Sequence, residues 1–388
     1  MLLSLSLIFI LGLFLAFVCN KIKLPALIGF LFVGIVLNSL HLIDDKILNI
    51  STELRQIALI IILTRAGLTL NIQDLKRIGR PAILMCFIPA AFEMTAVSVL
   101  GYYLFNLPFA EALLLGSVLA AVSPAVVVPR MIKMIENGQG IKKGIPQLIM
   151  AGASVDDIFV IVAFTTFTKL STGQSFNAMS LLNIPLAIIL GAIAGIITAF
   201  LLIKFFKTIH IRDSIKVIIT LSVSFLLVAL ESALKNTIGF SGLIAVMTCG
   251  MVILTKYEVL AKRLSLKFSK LWVASEILLF VLVGAAVDIT VIRDNILNGT
   301  LLIIGALFIR MCGVLVCLIK TNLNKQEKLF CTISYTPKAT VQAAIGGIPL
   351  ALGIASGNLI LSLAVLSIII TAPLGAFLMD ITNKKLIK

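Results

Sequence analysis

Two adjacent aspartates, Asp156 and Asp157, stand in a stretch from Ile149 to Phe164 that is otherwise small or apolar. A carboxylate at membrane depth costs about 3 kcal/mol or more, so such a group faces a water-filled cavity and serves a purpose there. On one helix the two side chains point about 100° apart, so both can border the same cavity. Gly152 and Ala153 offer small surfaces against which another helix or unwound backbone can pack closely. Like charges this near resist simultaneous ionisation. One oxygen site can then hold either a proton or a small hard cation, and competition between H⁺ and Na⁺ or Li⁺ for it is sufficient chemistry for an ion exchanger.

Three further charges fall at membrane depth. Glu93 and Arg310 sit at the middle of their apolar runs. An unpaired arginine is hard to sustain there, so a Glu93–Arg310 ion pair is expected. Arginine stays protonated in proteins, so it can hold structure together or stabilise Asp156, but it cannot carry a proton. Lys338 follows a proline in another run. A buried lysine can lose its proton, so Lys338 is either a second carrier or a charge that compensates Asp156 and broken helix ends; compensation is the preferred reading. Arg65 and Glu276 lie nearer the ends of their runs, as a structural pair or as snorkelling side chains.

These residues must be held by membrane helices. The 388 residues are 60% hydrophobic and 13% charged, with a mean hydropathy of +1.16. The apolar runs are about 17–25 residues long, which suits a helix crossing a ~30 Å hydrocarbon core. An all-α polytopic membrane protein follows, with about 13 spans: 2–19, 24–40, 56–70, 81–105, 109–134, 146–168, 181–203, 214–234, 240–255, 269–289, 295–319, 328–349 and 356–380. The first is not read as a cleavable signal peptide, since no basic segment precedes Leu2 and a second span follows Lys21 and Lys23.

The net charge of +15 does not imply a nucleic-acid partner. Connections after odd-numbered spans, with the span ends that border them and the C-terminal tail, carry 24 of the 32 Lys and Arg residues, and the even-numbered connections carry 5. That bias places the N-terminus outside and the C-terminus in the cytoplasm, here of a cell-membrane protein. The longest polar connections are expected around 135–145 and 256–270. The six cysteines show no C-x-x-C spacing and read as small hydrophobes. His41 and His210 fall in loops, so no histidine relay is expected within the membrane.

Two spans are interrupted. Span 5 contains Ser123-Pro-Ala-Val-Val-Val-Pro129, and span 12 contains Thr336-Pro-Lys338 followed by Gly346-Gly347. Proline breaks the helical ladder, and broken backbone at membrane depth must be buried in protein or line a cavity. Pro124 and Pro337 are 213 residues apart, Glu93 and Arg310 are 217, and Arg65 and Glu276 are 211. Each offset equals seven spans, an odd number, as for two inverted repeats whose crossed broken helices frame the binding site.

Taken together, Ser123–Pro129, Gly152-Ala-Ser-Val-Asp-Asp-Ile158 and Pro337-Lys-Ala-Thr-Val-Gln-Ala343 resemble the monovalent cation:proton antiporter superfamily, in particular its NHA-type sodium/proton branch. Leu63–Leu68 and Glu276–Asp288 are similar to it too, so the likeness runs along nearly the whole chain. The resemblance implies a core of 81–168 and 295–380, panel or dimerisation helices at 1–80 and 214–289, and a linker helix at 181–203. It further implies a homodimer in the lipid bilayer, whose core moves against its panel in an elevator-like cycle. Asp157 would be the cation- and proton-binding carboxylate, Asp156 its partner, with Na⁺ held between them. Ser123, Ser154, Thr336 and Lys338 would support the ion site beside the Glu93–Arg310 pair. No cofactor is implied beyond the transported ions. Relatives that move two protons per sodium carry a lysine on span 11 where this chain has Arg310, which implies one proton per cation and an electroneutral cycle.

Two other transport readings stay open: a K⁺/H⁺ exchanger, and a sodium-coupled symporter of a small organic anion on a related fold. A membrane aspartyl protease is excluded, because adjacent carboxylates on one helix cannot share a water from facing sides, and no Gly-x-Gly-Asp motif is present.

Overall fold

The computed structural model of the chain describes residues 1–70, 79–172, 178–234 and 240–386. Lys76, Arg77, Lys235 and Lys388, counted in the charge bias, lie outside the described residues. Among those described, the regular structure is helical, with no strand. Among the described residues, nine segments are long and apolar enough to cross a membrane, and shorter apolar helices occupy Ala26–Ser39, Gly242–Lys256 and Thr340–Ala351. The protein is a multi-pass membrane protein.

Two compact units divide the chain. The first takes residues 1–52, 74–174 and 277–388, and the second takes 53–73 and 175–276. In chain order the helices begin with α1 (Leu2–Lys21), α2 (Ala26–Ser39), α3 (Asp45–Asn49) and α4 (Ser51–Thr69). Next come α5 (Arg80–Met85), α6 (Ile88–Phe105), α7 (Phe109–Leu119), α8 (Pro124–Glu136) and α9 (Ile145–Ser171). Then follow α10 (Ala178–Thr208), α11 (Asp213–Leu234), α12 (Gly242–Lys256) and α13 (Glu258–Ala285). The last are α14 (Ile289–Cys317), α15 (Lys325–Ser334), α16 (Thr340–Ile345), α17 (Ile348–Ala351) and α18 (Gly357–Leu386).

Within the first unit, α6 packs along α14, α9 against α7 and α8, and α18 against α14 and α15. Small residues set these approaches: a β-carbon at Gly116 on α7 would meet the Met94 carbonyl of α6 at 2.6 Å. Without a hydrophobic drive between helices in lipid, such close packing carries the association. The second unit uses the same device, with Gly191 and Gly195 on α10 facing Ser241 and Ala245 around the start of α12.

Two features differ from the sequence reading. The span expected at 81–105 breaks at Cys86–Phe87, because Pro89 enters the first turn of α6 and has no N–H for the preceding turn. The basic connection expected at 256–270 is helical: α12 ends at Lys256 and α13 starts at Glu258. Hydropathy marks only the apolar part of a helix, whereas its hydrogen-bond ladder continues through the basic turns.

Candidate functional site

The first unit contains the two interrupted spans. Between α7 and α8 the helix opens at residues 120–123, and between α15 and α16 at 335–339. Pro124 takes the first position of α8, where a missing N–H is harmless. Pro337 drives the residue before it toward extended backbone. The breaks meet: the Ser123 N–H donates to the Pro337 carbonyl at 2.8 Å.

Backbone opened at membrane depth needs other partners, and polar side chains supply them. The Val122 N–H donates to Asp156 Oδ2 at 2.9 Å. Gln342 Nε2 donates to the carbonyls of Ala121 at 2.8 Å and Leu119 at 3.3 Å. Arg310 Nη1 donates to the Ala120 carbonyl. On the second break, the Ala339 N–H reaches Gln342 Oε1 at 3.0 Å and the Lys338 N–H reaches Thr371 Oγ1 at 2.9 Å. Gln342 thus ties both breaks together.

The charges form a chain. Arg310, fully buried on α14, donates through Nη1 to Glu93 Oε2 at 2.6 Å and through Nη2 to Asp156 Oδ2 at 2.8 Å. Lys338 Nζ pairs with the same Glu93 oxygen. The order is Lys338–Glu93–Arg310–Asp156. Helix dipoles favour this placement: Asp156 meets the amide preceding α8, and Arg310 meets a carbonyl just past α7. The Tyr335 ring lies 5.5 Å from the Arg310 guanidinium carbon, in cation–π range.

Asp157 stands outside that chain. It is 6% exposed, and its Oδ1 has no hydrogen-bond partner among the described residues. Three carboxylates (Glu93, Asp156, Asp157) therefore meet two basic side chains. With all five ionised the cluster carries one surplus negative charge, beside an oxygen free to bind a cation or a proton.

The remaining residues singled out in the sequence have varied places. Ser123 is fully buried, its hydroxyl without a partner among the described residues, at the junction of the breaks. Thr336 turns its hydroxyl back to the Ile333 carbonyl at 2.9 Å, so that donor closes its own helix end. Ser154 shares α9 with the aspartates, but its side chain lies outside the described residues. Lys338, read as a charge that compensates Asp156 and the broken helix ends, attracts Asp156 and reaches the Ala121 carbonyl of the first break at 3.4 Å; its direct ion pair is with Glu93, because Arg310 already occupies Asp156. Arg65 and Glu276 belong to the second unit, where their charges attract.

Sequence reasoning missed Gln342, Tyr335 and Thr371. Gln342 had a signal: a side-chain amide in an apolar helix is costly unless it is satisfied. Tyr335 and Thr371 had none, since a phenol or hydroxyl is common in membrane helices.

Crossed broken helices around buried carboxylates define the class of inverted-repeat secondary ion transporters. A family model described as sodium/hydrogen exchanger, transmembrane, matches residues 5–380. Sodium/hydrogen exchanger 9B2 of Homo sapiens is 31% identical over 384 residues, covering 94% of this chain and 70% of the relative. Sodium/hydrogen exchanger 9B1 of Homo sapiens is 32% identical over 381 residues, covering 94% and 73%. The solved structure of the sodium proton antiporter MjNhaP1 from Methanocaldococcus jannaschii at pH 8 has the same fold, with a TM-score of 0.85 at 22% identity, over 98% of this chain and 97% of that one. The chain belongs to the sodium/hydrogen exchanger family, within the monovalent cation:proton antiporter superfamily.

Proposed function

We propose that this protein exchanges Na⁺ or Li⁺ for H⁺ across the cell membrane, one proton per cation, with Asp157 as the carrier carboxylate. The observation that carries the proposal is the charge count of the buried cluster. Asp157 is the carboxylate with neither an ion pair nor a partner for its Oδ1 among the described residues, and it leaves the cluster one positive charge short. A proton or a monovalent cation restores balance equally well.

Oxygen ligands suit a hard cation. Asp157 Oδ1, Asp156 Oδ1 and the Ser123 hydroxyl are buried oxygens without partners among the described residues. They would hold the cation, with Ser154 a further hydroxyl on the same helix. Glu93, Arg310 and Lys338 fix the framework around them, and Thr336 closes the second break. Arg310 keeps its proton through the cycle, so the loaded site has the same charge in either form and the cycle is electroneutral. Access would alternate by an elevator-like movement of residues 81–168 and 295–380 against the panel helices of a homodimer, with the N-terminus outside and the C-terminus in the cytoplasm.

The test is collapse of a pH gradient in proteoliposomes on addition of Na⁺, Li⁺ or K⁺, with voltage free or clamped, for wild type and Asp157→Asn. Dissipation by Na⁺ or Li⁺ that is lost in Asp157→Asn is the expected result. Dissipation by K⁺ alone makes the protein a potassium/proton exchanger, and no proton movement by wild type overturns the proposal.

A further inference from the structure

Tyr335 stands at the C-terminal end of α15, at the mouth of the second break. It is fully buried, and its hydroxyl has no partner among the described residues. The ring lies against Arg310, and the hydroxyl reaches across to the backbone of α9 at Gly152, where a β-carbon would overlap it. Glycine is the residue that leaves room for it. Gly152 is one helical turn before Asp156, on the same face of α9.

Asp156 presents the complementary orphan. Its Oδ2 is engaged by Val122 and Arg310, while its buried Oδ1 has no partner among the described residues. A phenol O–H can donate, and a carboxylate oxygen can accept and still keep a lone pair for a cation. A phenylalanine would give Arg310 the same ring face without burying an unsatisfied hydroxyl, which costs stability. The hydroxyl therefore has a use beyond packing.

We infer that Tyr335 is a positioning residue of the ion site. Its hydroxyl donates to Oδ1 of Asp156 when the site is loaded, holding Asp156 in one orientation while Asp157 exchanges one ion for the other. The inference rests on the exchange function proposed above. Tyr335 acts through Asp156 and touches no transported ion.

The experiment is Li⁺- and Na⁺-driven exchange in proteoliposomes for wild type, Tyr335→Phe, Gly152→Ala and the double variant, with melting temperatures of each. Loss of a hydrogen bond to a charged group raises the cation KM of Tyr335→Phe about tenfold. Its maximal rate stays within about twofold of wild type, and its melting temperature within about 2 °C. Gly152→Ala displaces the same hydroxyl and raises KM similarly. The double variant is no worse than either single one, because both changes remove one interaction. Tyr335→Phe with wild-type KM, or effects that multiply in the double variant, overturns the inference while leaving exchange intact. A wild type that moves no protons removes the exchange function itself, and the inference falls with it. Should Gly152→Ala not fold, Tyr335→Phe alone decides.

Discussion

Glu93 accepts from two buried cations at one oxygen, so its removal is felt twice. Glu93→Ala leaves Arg310 and Lys338 facing each other in a dry site and is expected to cost about 3–5 kcal/mol. The melting temperature in detergent, read from the emission of the single tryptophan, Trp272, measures it. Adding Lys338→Met returns part of the loss, since it removes the charge left without its ion pair, while Arg310 keeps Asp156. At Asp157 the proposed competition has a definite sign. Acid on the cation-binding side raises the apparent KM for Na⁺ about tenfold per pH unit where protonation dominates, with the maximal rate unchanged; a KM independent of pH would sink the shared-site idea. Ionised groups at membrane depth are legible in a sequence because each stands out against apolar neighbours, which is how Asp156, Asp157, Glu93, Arg310 and Lys338 come to notice. Which base serves which acid is not legible. Lys338 lies near two carboxylates, Glu93 and Asp156, and the choice of Glu93 depends on Arg310 having already taken Asp156.

Among the helices, the interrupted pair depends on one amide side chain. Gln342→Leu leaves the Ala339 N–H and the Ala121 carbonyl without this partner, at about 1–3 kcal/mol for each group left unsatisfied. It is expected to lower both the melting temperature and the exchange rate, whereas Gln342→Glu should keep the bond from Ala339. α14 carries a pH-dependent end. Asp288 caps it, accepting from the Thr290 hydroxyl at 2.6 Å and the Thr290 N–H at 2.9 Å. Those bonds, the hydroxyl's first, hold its carboxyl below the usual range. A folded value below the unfolded one means the cap is complete above about pH 4 and is lost as pH falls through the lower folded value. Amide protection in the first turn of α14 should fall only in that acid window, and Asp288→Asn should remove the pH dependence. Prolines beside serine, threonine and lysine mark both breaks, but the first opens at 120–123 and not over the expected Ser123–Pro129, since Pro124 starts α8 and Pro129 lies inside it. The break at Cys86–Phe87 is not marked, because Pro89 in an apolar run looks like an ordinary kink. The basic turns of α13 are equally hidden, since charge density reports where the membrane ends and not where the helix does.

At the scale of the whole molecule the fold was legible in outline: apolar length, charge asymmetry and paired breaks specify a helical, multi-pass, repeat-built protein. The crossing of the broken helices follows from the repeat, but the atoms that meet there do not, because the hydrogen bond from Ser123 to Pro337 joins residues more than two hundred positions apart with no mark on either. Charge balance yields a prediction for the entire cycle. Clamping the membrane at 0 or −100 mV should leave the Na⁺-driven exchange rate unchanged, as a neutral cycle moves no net charge through the field; a voltage-dependent rate would mean that Lys338 or Asp156 also carries a proton. The surplus carboxylate has one more consequence. A site loaded with either ion is neutral, whereas an empty one retains a bare charge in a buried setting, where it would cost several kcal/mol. In the proposed cycle, reorientation without cargo would therefore be the step the cluster opposes. The same missing partner that would draw in a cation would then keep idle turns from draining the gradients on both sides.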